Sequence, residues 1–350
     1  MDKVRVGVVG CGVMGPRHAE TAVGSELTEL VAVADLIPER AQETASRYGA
    51  AHVHGPGSDL IADPDVDLVV LALPAHARTA LALEAFAAGK HVLTEKPVAM
   101  DAGEVETLIA ARGGLKAACC SSRYRFPEGA AIAAEHIASG ALGRLRTVWM
   151  RSLFPASPPP TEARPEWRLK RHLNGGGFLM NWGCYDLDYL LGITGWQLQP
   201  ESVFAQCWPV AEQLVPHLPE GSDAETHYIA LVRCAGGTMV SIERAEYAAA
   251  SAESGWQIVG DKGSLTLTMT TSNPKRIIYE AATPQEGHSS RVLWEGDEDA
   301  SVVMTGPLTD LAEAILEGRE PMTSLEKALI IQRLSDAIYR SAEAGTAVTY

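Results

Sequence analysis

Three short stretches carry residue types whose spacing suits chemistry. The first is Gly10-Cys11-Gly12-Val13-Met14-Gly15, a G-x-G-x-x-G pattern. It directly follows an apolar run, VRVGVVG (4–10), and opens a stretch of helical composition; Asp35 closes the next apolar run. In that context Gly10 permits a tight turn, Gly12 lets backbone approach a pyrophosphate, and Gly15 lets helix and strand pack closely. Val13 and Met14 complete the turn, and the free N–H groups of the helix start suit phosphate oxygens. A carboxylate at Asp35 accepts hydrogen bonds from two ribose hydroxyls and repels a 2′-phosphate, which favours NAD over NADP. Arg40, which could offset that charge, is expected to face solvent on a helix.

The second stretch is AAGKHVLTEKPVAM (87–100), with Glu95-Lys96-Pro97 at the end of a strand-like run. Ligands of open α/β sheets bind at the carboxyl ends of strands. The residue before a proline is kept out of helical geometry, so Lys96 is expected in an extended conformation there. Its ammonium could orient a substrate hydroxyl and favour the deprotonated form. The third stretch is GGGFLMNWGCYDLD (175–188). Three consecutive glycines do not hold a helix, yet from Phe178 the pattern turns helical, with Asn181, Tyr185 and Asp188 at i, i+4 and i+7 on one face. The glycines are expected to bring a helix start close to a ligand. At least one of Asp186 and Asp188 is expected to be solvated.

The elements that would position these residues follow from hydrophobic periodicity. Runs at 4–10, 30–35, 66–73, 91–96 and 116–122 read as strands, and 16–24, 38–48, 75–89 and 101–112 as the helices between them. Continuous apolar strands alternating with helices mean a parallel sheet covered on both faces, a Rossmann-type α/β domain over 1–122. After residue 123 the texture changes. A helix at 128–139 leads to a strand-like 144–154, a proline-rich loop (155–167) and the glycine-rich helix. Strand-like runs at 201–208, 225–234, 237–247, 255–260 and 263–270 follow without helices between them, with GDKGS (260–264) as a hairpin turn. This predicts an α+β domain over 123–322 with an open-faced, mostly antiparallel sheet. A C-terminal helix, 323–350, is expected to pack back on the first domain.

At 350 residues two domains are expected. The net charge of −15 argues against nucleic acid and against an anionic membrane as partner, since those surfaces need clustered Lys and Arg. The six cysteines (11, 119, 120, 184, 207, 234) lack metal or redox spacing, and adjacent Cys119 and Cys120 read as small core residues. The ten histidines are scattered, so no metal constellation is expected. With no secretion signal and no apolar run of membrane length, a cytoplasmic protein is expected.

The fingerprint, AGKHVLTEKP, SRYRFPEGAAIAAEHIASGALG (122–143) and GGGFLMNWGCYDLD together resemble the glucose–fructose oxidoreductase, inositol dehydrogenase and rhizopine-catabolism (Gfo/Idh/MocA) family. The resemblance runs over essentially the whole chain. It implies a Rossmann domain followed by an open-faced sheet that commonly mediates homodimers or homotetramers. It also implies an active site between the domains, with a sugar, cyclitol or related polyol as substrate. Leu73, Pro74, His76 and Glu95 are expected on the cofactor side, and Arg123, Arg168 and Asp188 toward the substrate. Arg125 is also placed near the cleft, although any one of these arginines alone reads as a structural ion-pair former.

Two departures stand out. The family's motif on the glycine-rich helix is Asp-x-Gly-x-His-x-x-Asp; aligned on Gly183, this chain has Asn181, Tyr185 and Asp188. In LPAHARTA (73–80), Arg78 stands where the family often has histidine. Hydride transfer from a secondary alcohol requires loss of its hydroxyl proton, and Asn181 is no base. Tyr185, with a reference pKa of about 10, needs a nearby cation to act as one. The expected catalytic residues are therefore Lys96 and Tyr185, with Asn181 orienting. The expected activity is an NAD-dependent oxidoreductase acting on CH–OH groups. Two alternatives stay open: an enzyme that holds and recycles its NAD during epimerisation, elimination or glycoside cleavage, and a non-catalytic NAD-binding sensor.

Overall fold

The computed structural model describes residues 3–158 and 165–350, so residues 159–164 of the proline-rich loop at 155–167 lie outside the described residues. The chain forms two compact units. The first comprises Met1–Arg123 and Ser301–Gln332. It begins β1 (Val4–Val9), α1 (Gly15–Gly24), β2 (Thr28–Ala34), α2 (Pro38–Tyr48), β3 (His52–His54) and α3 (Gly57–Ile61). It continues with β4 (Leu68–Leu71), α4 (Arg78–Ala87), β5 (His91–Thr94), α5 (Ala102–Arg112) and β6 (Ala117–Cys119). The strands make one parallel sheet in the order β3-β2-β1-β4-β5-β6. Order reverses beside β1, so the crevice above β1 and β4 is the topological switch point at which such sheets bind ligands. Burial matches the near-continuous apolar strands: Val4, Val6, Val8, Leu68, Val69, Val70 and Leu71 are fully enclosed.

The second unit comprises Tyr124–Ala300 and Arg333–Tyr350. It holds α6 (Glu128–Ala138), β7 (Leu145–Pro155), α7 (Arg171–Asn174), α8 (Cys184–Ile193), β8 (Pro200–Trp208), β9 (His227–Cys234) and β10 (Met239–Ala248). Then come β11 (Glu253–Gly260), β12 (Gly263–Leu267), β13 (Lys275–Thr283) and β14 (Gly287–Gly296). Past these lie α9 (Val302–Glu317), α10 (Leu325–Ala344) and β15 (Val348–Thr349). The sheet runs β14-β13-β12-β11-β7-β10-β9-β8-β15, antiparallel except where β7 and β10 lie parallel. Its inner positions are apolar, including Val148, Met150, Ala230, Val232, Val240 and Ile242. Its other face is open: one row across four strands runs Trp149, Ser241, Leu231, Phe204, and three of these are exposed aromatic or aliphatic side chains.

Several boundaries differ from the sequence expectation. The last strand of the first sheet is short, and Cys120–Arg125 is a 3-10 turn. Strands β3, β13 and β14 were not anticipated; β14 is polar and exposed along most of its length, so it has no alternation to read. Residues 302–317 were expected in the second domain. Instead α9 belongs with the first unit, where Leu308, Leu311 and Ala312 pack among Val4, Val6, Val8 and Ala19. The C-terminal helix divides: residues of α10 up to Gln332 belong to the first unit, and those from Arg333 to the second.

Candidate functional site

In the first unit the phosphate loop joins β1 to α1. Gly10 has φ +93°, a left-handed value that favours glycine. A Cβ on Gly15 would fall well inside van der Waals contact of the Gly10 carbonyl oxygen, so helix and loop touch only because that side chain is absent. A Cβ on Gly12 would meet nothing within 4 Å, which leaves open space beside the backbone. Helix α1 starts without a side-chain cap, so its first N–H groups suit an anion. Asp35 braces the loop: its Oδ2 accepts the Cys11 N–H at 2.7 Å and its Oδ1 the Ile37 N–H at 2.8 Å. These residues fit the pyrophosphate and ribose of a dinucleotide. Arg40 is exposed on α2, as expected.

Where β5 ends, Glu95 is buried among charges. Its Oε1 meets His18 Nε2 of α1 at 2.9 Å and also accepts from Arg123 Nη2, while its Oε2 accepts the Lys96 backbone N–H at 3.2 Å. Burial pushes this carboxyl's pKa up, but the Arg123 charge and the His18 contact outweigh it and hold it well below the usual range. Glu95 therefore ties the phosphate-loop helix to the segment that carries Lys96. Lys96 itself is half-buried, and its peptide to Pro97 is cis. Arg78, fully buried, donates to Thr94 Oγ1 at 3.2 Å. The Cys120 thiol, enclosed beside Glu95, is pushed well above its ordinary pKa by burial and that carboxylate, which makes it inert. Leu73 and Pro74 are half-buried after β4, and His76 is exposed in the following turn.

In the second unit the glycine-rich stretch has a different role from the one expected. A Cβ on Gly177 would collide with the Glu225 carbonyl, and one on Gly176 with the Tyr339 hydroxyl. Glu225 occupies the helix start: its Oε2 accepts the Gly177 N–H at 3.0 Å, its Oε1 the Leu179 N–H at 2.9 Å and the Tyr339 hydroxyl at 2.8 Å. Burial lifts the Glu225 pKa despite these donors. The glycines thus admit a protein carboxylate to the helix start. The helix opens with a π turn, Leu179–Gly183, wider than an α turn, before α8 continues from Cys184. The expected solvated aspartate is not found there. Asn181, Tyr185, Asp186 and Asp188 are all buried, the two aspartates completely.

Each carboxylate there has a partner. Arg244 Nε and Nη2 donate to Asp186 at 2.6 Å each, and the guanidinium lies over the rings of Trp182, Phe154 and Phe178. Arg125 Nη1 meets Asp188 at 3.2 Å. The Tyr185 ring is held edge-on by Tyr124, with centroids 5.2 Å apart, and by Trp182 at 5.6 Å. Arg168 reaches Glu246 at 2.9 Å. Thus Arg123, Arg125 and Arg168 all engage carboxylates of the protein.

A family model described as an oxidoreductase family with an NAD-binding Rossmann fold matches residues 4–119, and the GFO/IDH/MocA C-terminal domain matches 131–266. The chain belongs to the Gfo/Idh/MocA family. Among curated relatives, an uncharacterized oxidoreductase of Rhizobium meliloti is 30% identical over 216 residues, covering 59% of this chain and 60% of its own. Levoglucosan dehydrogenase of Pseudarthrobacter phenanthrenivorans is 28% identical over 204 residues, covering 55% of this chain and 52% of its own. The chain thus spans between half and three-fifths of the length of these two relatives. Among solved structures, aldose–aldose oxidoreductase from Caulobacter crescentus, complexed with glycerol, superposes with TM-score 0.80 at 27% identity, covering 99% of this chain and 100% of that one.

Within this Gfo/Idh/MocA chain, sequence reasoning missed His18, Glu225 and Arg244, and singled out Arg78 without its burial against Thr94. A phase signal existed for one of them. Val240, Ile242 and Arg244 share the inward face of β10, and a charge at an inward position of an alternating strand implies a buried partner. His18 and Glu225 had no such mark, because neither sits at an inward position of an alternating strand.

Proposed function

We propose that this protein is an NAD-dependent oxidoreductase that moves a hydride between the cofactor and a secondary hydroxyl or ketone of a sugar, cyclitol or related polyol. The observation that carries the reading is Lys96 at the carboxyl end of β5. It stands on the same sheet edge as the phosphate loop, with its backbone held by a Glu95 that also grips α1. NAD supplies the hydride acceptor or donor. Gly10, Gly12, Val13, Met14 and Gly15 cradle its phosphates and Asp35 its ribose, with Leu73, Pro74 and His76 bordering it. Tyr185 Oη takes or gives the hydroxyl proton, and the Lys96 ammonium favours the deprotonated oxygen. Asn181 orients a hydroxyl or the cofactor's carboxamide, and the enclosed Asp188 acts on the substrate side through Arg125, which it holds in place. Arg123 and Arg168 act at the substrate side through the carboxylates they hold in place. The names of levoglucosan dehydrogenase and the aldose–aldose oxidoreductase support the carbohydrate class. The exposed row on the open sheet face supports self-association as a homodimer or homotetramer.

The test is steady-state turnover with NAD on a panel of sugars and cyclitols, following both NADH and product. Lys96→Met and Tyr185→Phe should each lower kcat by ~10²–10⁴-fold while the fold is retained. Unchanged turnover in both variants would remove the pair. Product without net NADH would instead mark a cofactor-recycling enzyme, and NAD binding without turnover a sensor.

A further inference from the structure

The histidines that look scattered in sequence are not all scattered in space. Strand β3 is the edge of the first unit's sheet, and its two-residue period puts His52 and His54 on one face. The chain then turns through the short α3 and brings back Asp63. His52 Nδ1 lies 2.6 Å and His54 Nε2 3.0 Å from the same oxygen, Asp63 Oδ2. The three ligand atoms all fall within 4.8 Å of one another. We propose that His52, His54 and Asp63 form a binding site for one divalent transition-metal ion of the zinc class, with its remaining position open to water.

The donor set is two imidazoles and one carboxylate, which suits zinc and its neighbours and not magnesium or calcium. Tetrahedral zinc, with bonds of about 2.0–2.1 Å, holds ligand atoms about 3.3 Å apart. The two contacts to Asp63 Oδ2, at 2.6 and 3.0 Å, must therefore open by about 0.7 and about 0.3 Å. The rings can make that adjustment, since the side chains of His52 and His54 are 40% and 24% exposed. Access is from solvent on the sheet's edge. A neutral imidazole carries one proton, so shifting it to the far nitrogen frees the near one for the metal. For His52 that far nitrogen, Nε2, lies 4.0 Å from Asp65 Oδ2, an ion-pair distance and not a hydrogen bond.

Asp63 is prepared as a ligand. Its Oδ1 accepts the Asp65 N–H at 2.9 Å, which leaves Oδ2 for the cluster. Two neighbouring cations have other partners: Lys90 Nζ donates to the carbonyls of Asp63 and Val66, and Arg5 pairs with Asp65 and Asp67. The whole chelate spans twelve residues of chain, and an ion there would staple the β3–α3 corner.

The experiment is titration of chelator-treated full-length protein with Zn²⁺ by calorimetry and with Co²⁺ by visible absorption. The expected result is one saturable equivalent, Co²⁺ bands of a low-coordinate nitrogen–oxygen site, and a melting temperature that rises with free Zn²⁺. His52→Gln and His54→Gln, both at solvent-reached side chains, should each weaken binding at least 10-fold. Asp63→Asn should do the same, although it also disturbs the Asp65 turn. The proposal is overturned if wild-type protein shows no saturable equivalent. It is equally overturned if the His52→Gln/His54→Gln double variant, folded by circular dichroism, binds as tightly as wild type.

Discussion

Replacing Glu95 with glutamine tests the charge network that holds Lys96. The substitution keeps shape and hydrogen-bonding capacity but removes the negative charge that faces Arg123 and His18. The Arg123 side chain is only 5% exposed, so its guanidinium would be left in the interior without a counter-charge. Breaking a buried pair from one side costs about 3–5 kcal/mol. In a domain of this size each kcal/mol moves Tm by about 2–4 °C, so Glu95→Gln should melt about 6–20 °C below wild type at pH 7. The pH dependence has a definite sign. A carboxyl whose folded pKa is depressed stabilises above its unfolded pKa and loses that contribution as pH falls toward the folded value. The gap should therefore be full at pH 7 and narrow only below about pH 4. Scanning calorimetry and guanidinium melts at both pH values measure it. Glu95→Gln/Arg123→Met, which removes both charges, should recover much of the loss. A single variant within 2 °C of wild type at pH 7, or a gap that widens with acid, would refute the reasoning.

Two further outcomes are expected. Gly15→Ala places a Cβ against the Gly10 carbonyl; overpacking costs about 1–3 kcal/mol, and the displaced loop should weaken NAD binding at least about 10-fold in a fluorescence titration. Wild-type affinity in that variant would show that the close approach does not shape the phosphate site. Asp186→Asn should cost about 3–5 kcal/mol in chemical denaturation, because Arg244 stays buried among three aromatic rings; adding Arg244→Met should restore part of it. Equal stability of single and double variants would mean that the pair's charges are not what matters.

Much of this protein was legible in its sequence because the relevant physics is local. Alternating apolar strands and helices, the glycine spacing at 10–15, Asp35 at a strand end and the family motifs need only neighbouring residues, and they determined the Rossmann-type first unit, its phosphate loop and the family. Periodicity also anticipated the antiparallel second sheet from β8 to β12. It was silent for β14, whose exposed polar residues carry no pattern. Tertiary structure decided what depends on which distant groups meet. Only folding placed Glu225 in the helix start beneath Gly176 and Gly177, where the sequence suggested a ligand. Only folding enclosed Asp186 and Asp188 beside Arg244 and Arg125, because burial of a charge is set by a partner many residues away. The same holds for His18 and Arg123 around Glu95, and for His52, His54 and Asp63. A motif states which groups a short segment carries; the packing around it determines their charge, exposure and partners, and so their chemistry.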